Sequence, residues 1–448
     1  MKPQPGLLFA LIGVMASAAA FAAPRAVDTC MANAQASLDA VVQGHYAAAG
    51  KDFATVTAKA LPPAKIEQAW TDVQKRFGVY RSHGTLHPLT FQGKPVVVTP
   101  VRFANGPLDF VVACDASNRI TLFYLLKPSV VEAPAPIKAH TKANGVRIEP
   151  LFVPSPFGPL RGALTLPAGE GLFPAVVLVG GSGPNDLDET VGGSKPFRDI
   201  ANGLAAAGIA SLRYDKRQTD YPLQMSANAH LTVDEEETDD ALTAAHLLAK
   251  QRGINPHRVF VLGHSEGGML VPRIGQRDPS LAGLILLAAP ARKLLAVSRQ
   301  QVREQGQRLG LPATQIHASE EALAAEQKLL DKADPKNPPQ GEFGGAPQTW
   351  WLSLHGYDQV AVAKSLQLPM LILQGGSDFQ VSPKYDFDLW KQALAGKSNV
   401  TFHLYPGLSH LFTPAGRTMT SADYAKPAHV DPTVIQEIDK WIKAQPAK

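Results

Sequence analysis

The sequence is poor in cysteine, modest in aromatics and short of long hydrophobic runs. Only two cysteines occur in 448 residues, which excludes a small disulfide-dense scaffold. After the N-terminal leader, no apolar stretch approaches the roughly 20 residues that a membrane-spanning helix needs. The formal charge of +4 is thinly spread, and no Lys/Arg-rich run is interleaved with aromatics, so nucleic acid is not an expected partner. No close group of His, Cys, Asp and Glu has metal-ligand spacing, and the glycine-rich stretch at 180–184 is not followed by Gly-Lys-Ser/Thr. Neither a catalytic metal nor a nucleotide phosphate loop is therefore expected, and no cofactor is implied. A chain that is 45% hydrophobic and 18% charged can bury a large core, and its length suggests two domains behind a leader.

The leader is residues 1–23: Lys2, an apolar core from Leu7 to Val14, then small residues through Ala23. This is the pattern of a secretory signal peptide, which predicts a secreted or periplasmic protein. An uncleaved anchor is the alternative, disfavoured by the short apolar core. Both cysteines lie downstream of the leader. An oxidising compartment admits one disulfide, Cys30–Cys114, closing a loop of about 84 residues; two buried free thiols are the competing possibility.

Residues 29–77 carry apolar side chains at helical spacing: Met31, Ala34, Leu38, Val41 and Val42, then Ile66, Trp70, Val73 and Phe77 after Pro62-Pro63. The period then changes, and 96–103, 108–114 and 120–126 are rich in β-branched and aromatic residues, as strands are. A small α+β domain is expected over 24–130, followed by a Pro-rich linker at 131–144. From 145 to 448 the pattern alternates. After a leading antiparallel pair at 147–153 and 160–166, apolar runs recur at 175–179, 209–213, 259–262, 284–288, 370–373 and 401–405, with helical stretches between them. Strands apolar on both faces imply a doubly wound, mostly parallel α/β sheet with its chemistry at the carboxyl ends of the strands. An insertion at about 290–365 reads as a helical cap, in which Trp350, Trp351 and Tyr357 either line a substrate pocket or pack the cap onto the sheet.

The strongest local signal is Val259-Phe260-Val261-Leu262-Gly263-His264-Ser265-Glu266-Gly267-Gly268, a strand running into Gly-x-Ser-x-Gly and then a helix. That is a nucleophile elbow, a strained turn that projects the Ser265 hydroxyl. A serine hydroxyl needs a base to take its proton, and the base needs an acid to orient it. The run 370–373 leads to Asp378, and the run 401–405 leads to His410, so acid and base follow the nucleophile in the order this architecture uses. Asp358, Asp386 and Asp388 are better explained as surface or helix-start carboxylates, and His355, His403 and His429 do not lie on strand-end loops. His264 reads as a packing residue rather than a second base. Two backbone amides should hold the oxyanion: that of Glu266, after the nucleophile, and that of Ser182, in the loop after the run 175–179.

Gly-Gly-Ser-Gly-Pro-Asn-Asp at 180–186, Arg213-Tyr214-Asp215-Lys216-Arg217 and Gly-His-Ser-Glu-Gly-Gly at 263–268 resemble the α/β-hydrolase superfamily. More narrowly, they are similar to a bacterial branch of secreted serine esterases related to dienelactone hydrolases and prolyl-oligopeptidase-type catalytic domains. The resemblance covers roughly 145–445, and residues 25–130 look similar to an N-terminal domain of unknown function found in that branch. It implies hydrolysis of a small-molecule carboxylic ester through an acyl-serine at Ser265. Peptide or thioester hydrolysis by the same triad, or ligand binding without catalysis, are the alternatives. The long propeller that gates peptides in prolyl oligopeptidases has no room before residue 145. The dienelactone hydrolases carry Cys where this chain has Ser265, so their substrate is not implied.

Overall fold

The structure, a computed structural model, describes residues 24–91, 94–126, 134–228, 230–416 and 420–447. The expected signal peptide and part of the expected linker lie outside these residues. The chain divides into two compact units, Met1–Pro128 and Ser129–Lys448.

In the first unit, helices Pro24–Val42 and Pro63–Phe77 are followed by an antiparallel sheet of β1 (Tyr80–His83), β2 (His87–Phe91), β3 (Lys94–Phe103), β4 (Gly106–Cys114) and β5 (Ile120–Leu126). Its order is β1-β3-β4-β5, with β2 also paired to β3. The helical spacing seen in the sequence becomes a buried seam, since Leu38, Ile66 and Trp70 join Val97, Phe103 and Phe110 in one core. Strand β1 was not visible in the sequence because its residues, Tyr-Arg-Ser-His, are polar and partly exposed with no period-2 pattern, and β2 is a five-residue segment interrupted by Pro88. Cys30 and Cys114 are both fully buried in this core and paired with each other, their Cα atoms 6.0 Å apart.

The second unit is built on a nine-stranded sheet: β6 (His140–Thr141), β7 (Arg147–Pro150), β8 (Gly162–Leu166), β9 (Phe173–Val179), β10 (Ala210–Tyr214), β11 (Ile254–His264), β12 (Gly283–Leu287), β15 (Met370–Gly375) and β16 (Val400–Tyr405). A small hairpin of β13 (Glu342–Phe343) and β14 (Ala346–Pro347) stands apart. The order is β16-β15-β12-β11-β9-β10-β8-β7-β6; pairings from β16 to β10 are parallel, and those from β10 to β6 antiparallel.

The apolar runs lack polar alternation because both faces are covered. Val177, Val261, Leu286 and Ile372 point into one core, whereas their neighbours Val176, Phe260, Ile285 and Leu371 point into the other. Between β12 and β15 lie helices Leu294–Arg308, Ala313–Lys332, Gln348–His355 and Gln359–Ser365. Among the described residues, no helix is long and apolar enough to cross a membrane.

Candidate active site

Strand β11 ends at His264, and the helix Glu266–Arg277 begins one residue after Ser265. Ser265 takes up the turn alone, with φ 53° and ψ −118°, a strained conformation for a residue with a side chain. The flanking glycines are steric requirements. A Cβ on Gly263 would lie 2.4 Å from the Gly267 carbonyl, and one on Gly267 would lie 2.4 Å from the Gly180 oxygen. The reversal thus brings the elbow helix directly against the end of β9. Because Glu266 opens that helix, its amide has no acceptor within the helix.

Asp378 and His410 come from the loops after β15 and β16, neighbours in the sheet. His410 Nδ1 donates to Asp378 Oδ2 at 2.7 Å, in a setting where both side chains are almost fully buried. The carboxylate is held on every side. Its Oδ1 accepts the amides of Gln380 and Val381 at 2.8 and 2.9 Å, and its Oδ2 also accepts Gln374 Nε2 at 2.9 Å. Gln374 lies inside an apolar strand and gives no sequence sign of this task. The main chain of His410 is held too, since its carbonyl oxygen accepts His264 Nε2 at 2.9 Å. The two imidazole rings stand 4.6 Å apart at their centroids. His264, read from the sequence as packing, is therefore a hydrogen-bonding bridge, and its other nitrogen, Nδ1, meets Glu189 Oε1 at 2.9 Å.

The loop after β9 forms the opposite wall. A Cβ on Gly181 would come within 3.2 Å of the Ser265 Cβ, so this loop passes next to the candidate nucleophile. The Gly181 carbonyl is gripped from behind by Lys216 Nζ at 3.0 Å and Asn185 Nδ2 at 2.9 Å. In a trans peptide the next N–H points the other way, so these two donors aim the Ser182 amide away from themselves. The Ser182 hydroxyl donates to Glu266 Oε2 at 2.9 Å, joining the two expected oxyanion residues by their side chains.

Lys216 sits among carboxylates. Its ammonium lies 2.6 Å from Glu237, 3.2 Å from Glu236 and 3.7 Å from Glu266, all four residues being buried. Burial alone would lower the Lys216 pKa, but the charges of Glu237, Glu236 and Glu266 outweigh it and hold the group above its ordinary value. Burial pushes Glu237 up to about 8. Burial, followed by the Glu236 charge, pushes Glu266 up to about 7.

The neighbouring residues of the Arg213–Arg217 motif are also struts for this loop. Arg213 pairs with Asp188 at 2.5 Å, and Asp215 accepts the Leu187 amide at 2.6 Å while pairing with Arg161 at 2.6 Å. In the sequence only the motif's resemblance marked these residues.

Trp350, Trp351 and Tyr357 are buried in one cluster with Met269, Leu270 and Leu295. Their polar atoms are engaged inside the protein: Trp350 Nε1 with Glu236 Oε2, Trp351 Nε1 with the Phe343 carbonyl at 2.7 Å, and Tyr357 Oη with the Met269 carbonyl at 3.0 Å. These contacts are those of packing onto the elbow helix and the Glu236 segment. Asp358 caps the helix Gln359–Ser365. Asp386 lies in the first turn of the helical segment Pro383–Phe387, so it is a helix-start residue but not a surface one: it is fully buried, where it accepts the amides of Ala291 and Arg292 and pairs with the Arg292 guanidinium.

Among the described residues, no cluster of His, Cys, Asp and Glu forms a metal site. The arrangement supplies a hydroxyl on a strained, half-buried turn, an imidazole with one nitrogen fixed on a carboxylate, and amides at a helix start and a fixed loop. These are the parts of acyl transfer through serine.

A family model described as serine aminopeptidase, S33 (Hydrolase_4) matches residues 192–413. The chain is 41% identical over 343 residues to esterase EstD of Thermotoga maritima, an alignment covering 76% of this chain and 78% of that protein. Among solved structures it is similar to Est1E of Butyrivibrio proteoclasticus, with 16% identity over 66% of this chain and 99% of that one and a TM-score of 0.43. It is also similar to an esterase of Pyrococcus furiosus, with 13% identity over 71% and 98% of the two chains and a TM-score of 0.44.

Proposed function

Since the chain belongs to the α/β-hydrolase family of esterase EstD, we propose that it is a serine hydrolase that cleaves small carboxylic esters through an acyl-enzyme. The Ser265 oxygen attacks the ester carbonyl carbon while His410 takes the hydroxyl proton and Asp378 orients and stabilises the imidazolium. The amides of Ser182 and Glu266 receive the charge that develops on the carbonyl oxygen. As the tetrahedral adduct collapses, His410 gives the proton to the departing alcohol. Water then attacks the acyl-serine with His410 as base, and the acid leaves with Ser265 restored.

The observation that carries this reading is the buried His410–Asp378 bond of 2.7 Å, built on loops of adjacent strands beside the strained Ser265 turn. The test is a panel of nitrophenyl esters of increasing acyl length, run beside aminoacyl amides, with fluorophosphonate labelling of the protein. Ester turnover and labelling are expected, and Ser265→Ala should abolish both while leaving the circular-dichroism spectrum unchanged. Undiminished ester hydrolysis by Ser265→Ala would overturn the mechanism, and preferential cleavage of the amides would replace ester with peptide substrate.

Export by residues 1–23 and a Cys30–Cys114 disulfide formed after export belong to the same proposal. They are supported by the leader's composition and by the pairing of the two sulfur atoms within the first core. Fractionation of expressing cells together with non-reducing peptide mapping tests both; a cytoplasmic protein with two alkylatable thiols would overturn them.

A further inference from the structure

His264 and Glu189 lie behind the candidate triad and take no part in the mechanism above, yet they touch both of its walls. His264 is 5% exposed and Glu189 2%. His264 Nε2 faces the His410 carbonyl oxygen, which can only accept, so this nitrogen must carry a proton. His264 Nδ1 faces Glu189 Oε1 at 2.9 Å. That same oxygen already accepts the Gly181 amide at 2.7 Å, as a carboxylate does. With Glu189 ionised, both ring nitrogens face acceptors and the ring satisfies both only as an imidazolium; a neutral ring has one N–H and must give up one of the two bonds.

The connections show what the pair holds. Through Glu189 it fixes the Gly181 amide, one residue before the proposed oxyanion donor Ser182. Through His264 it fixes the backbone of His410, whose side chain is fixed separately by Asp378. His264 also precedes Ser265, so the nucleophile's own strand end is the hub. Glu189 meets this geometry from a left-handed conformation, φ 51°, which is costly for a glutamate and is retained where surrounding structure demands it.

We propose that Glu189 and His264 form a buried ion pair that positions the oxyanion loop and the base loop about Ser265, so that catalysis requires His264 to keep its second proton. Neither residue touches the reacting atoms; both are positioning residues. The groups facing His264 are Glu189 from the loop after β9, Asp378 from the loop after β15, and the His410 carbonyl and ring from the loop after β16. Burial opposes the charge on His264, but Glu189 and then the His410 carbonyl and Asp378 outweigh it and raise the pKa above its ordinary 6.5. While Glu189 is ionised, the positioning is lost as pH rises through the raised His264 value.

The inference rests on the serine-hydrolase reading, but its first test does not. In the full-length protein labelled with 15N-histidine, His264 is assigned by the signal missing from His264→Gln. Its ring is expected to lose the second proton at a higher pH than an ordinary histidine does, and at a lower pH in Glu189→Gln than in the wild type. A His264 titration midpoint at or below that of an ordinary histidine, or one unmoved in Glu189→Gln, would overturn the proposal even if ester hydrolysis is confirmed.

The second test is kinetic. Glu189→Gln removes the charge but not the shape, and it should lower kcat on a nitrophenyl ester roughly ten- to a hundredfold with KM changed less than about threefold. Its alkaline loss of activity should begin at lower pH than in the wild type, because the imidazolium has lost its carboxylate. An unchanged kcat, or the same alkaline limb in both proteins, would overturn the proposal. Loss of ester hydrolysis in the wild type itself would instead count against the function proposed above.

Discussion

Lys216 reaches 35 residues back along the chain to donate to the carbonyl oxygen of Gly181 at 3.0 Å. It does so from a buried site shared with Glu236, Glu237 and Glu266, so the charge that holds the proposed oxyanion loop is itself set among three acidic side chains. Lys216→Met should therefore act on catalysis and stability together. Losing one aligned oxyanion donor typically costs about 10²–10³ in kcat, and we expect the lower end because the Ser182 amide is misdirected rather than removed. Removing one partner of a buried ion pair costs about 3–5 kcal/mol. Steady-state ester kinetics and urea unfolding measure the two effects; a variant with wild-type kcat would separate Lys216 from the site.

Four buried acids of the second unit set a pH dependence of stability. Glu237 at about 8, Glu266 at about 7, Asp220 at about 7 and Asp240 at about 6 are all raised, burial being the first cause for each. An acid with a raised folded value keeps a proton that the unfolded chain has already released, so the folded form binds more protons across this window. Stability should fall as pH rises from ordinary carboxylate values toward about 8, by up to about 1.4 kcal/mol per pH unit for each proton involved. His264 adds in the same direction, since its raised value makes its contribution fade with rising pH. Glu237→Gln should flatten the slope measured by thermal unfolding at a series of pH values. A wild-type Tm that climbs over this range would contradict the assignment.

Trp350 ties the inserted helices to this cluster through Glu236. Trp350→Phe keeps most of the ring volume but deletes the N–H, leaving a buried carboxylate oxygen short of a partner at a cost of about 1–3 kcal/mol. Because Glu236 also faces Lys216, a reduced kcat should accompany the lower stability. Equal stability in the two proteins would show that the indole N–H holds nothing.

In the first unit, the proposed Cys30–Cys114 disulfide predicts that Cys114→Ser combined with Cys30→Ser costs about 2–5 kcal/mol, as removal of a native cross-link commonly does. Calorimetry of the double variant beside the wild type, with and without reductant, gives the comparison. Reductant should lower the wild-type transition and leave that of the double variant where it is.

Much of the second unit was legible because the physics behind it is local. A strand buried on both faces has to be apolar at successive positions, and the runs at 175–179, 259–262 and 370–373 carry that demand in plain sequence. The elbow is legible for the same reason: Gly263 and Gly267 are required within four residues of each other by close approach of the backbone around Ser265. Asp378 and His410 could be named from their places after strands, without knowing that their atoms meet at 2.7 Å. Strands β1 and β2 left no such trace, and the buried state of Asp386 was hidden because its partners, Ala291 and Arg292, lie far away in the chain.

The amino-acid sequence by itself determined the alternation of strands and helices, the serine turn and the order of its candidate partners, all of which follow from side-chain period and short-range sterics. Only the tertiary structure decided what Glu189, Lys216, Gln374 and the His264 side chain do. Their contacts run from β9, β10, β11 and β15 onto neighbouring loops at the sheet's carboxyl edge. Whether a buried charge is stabilised depends on which other charges the fold brings to it in a low-dielectric interior. That distance in space has no counterpart in distance along the chain.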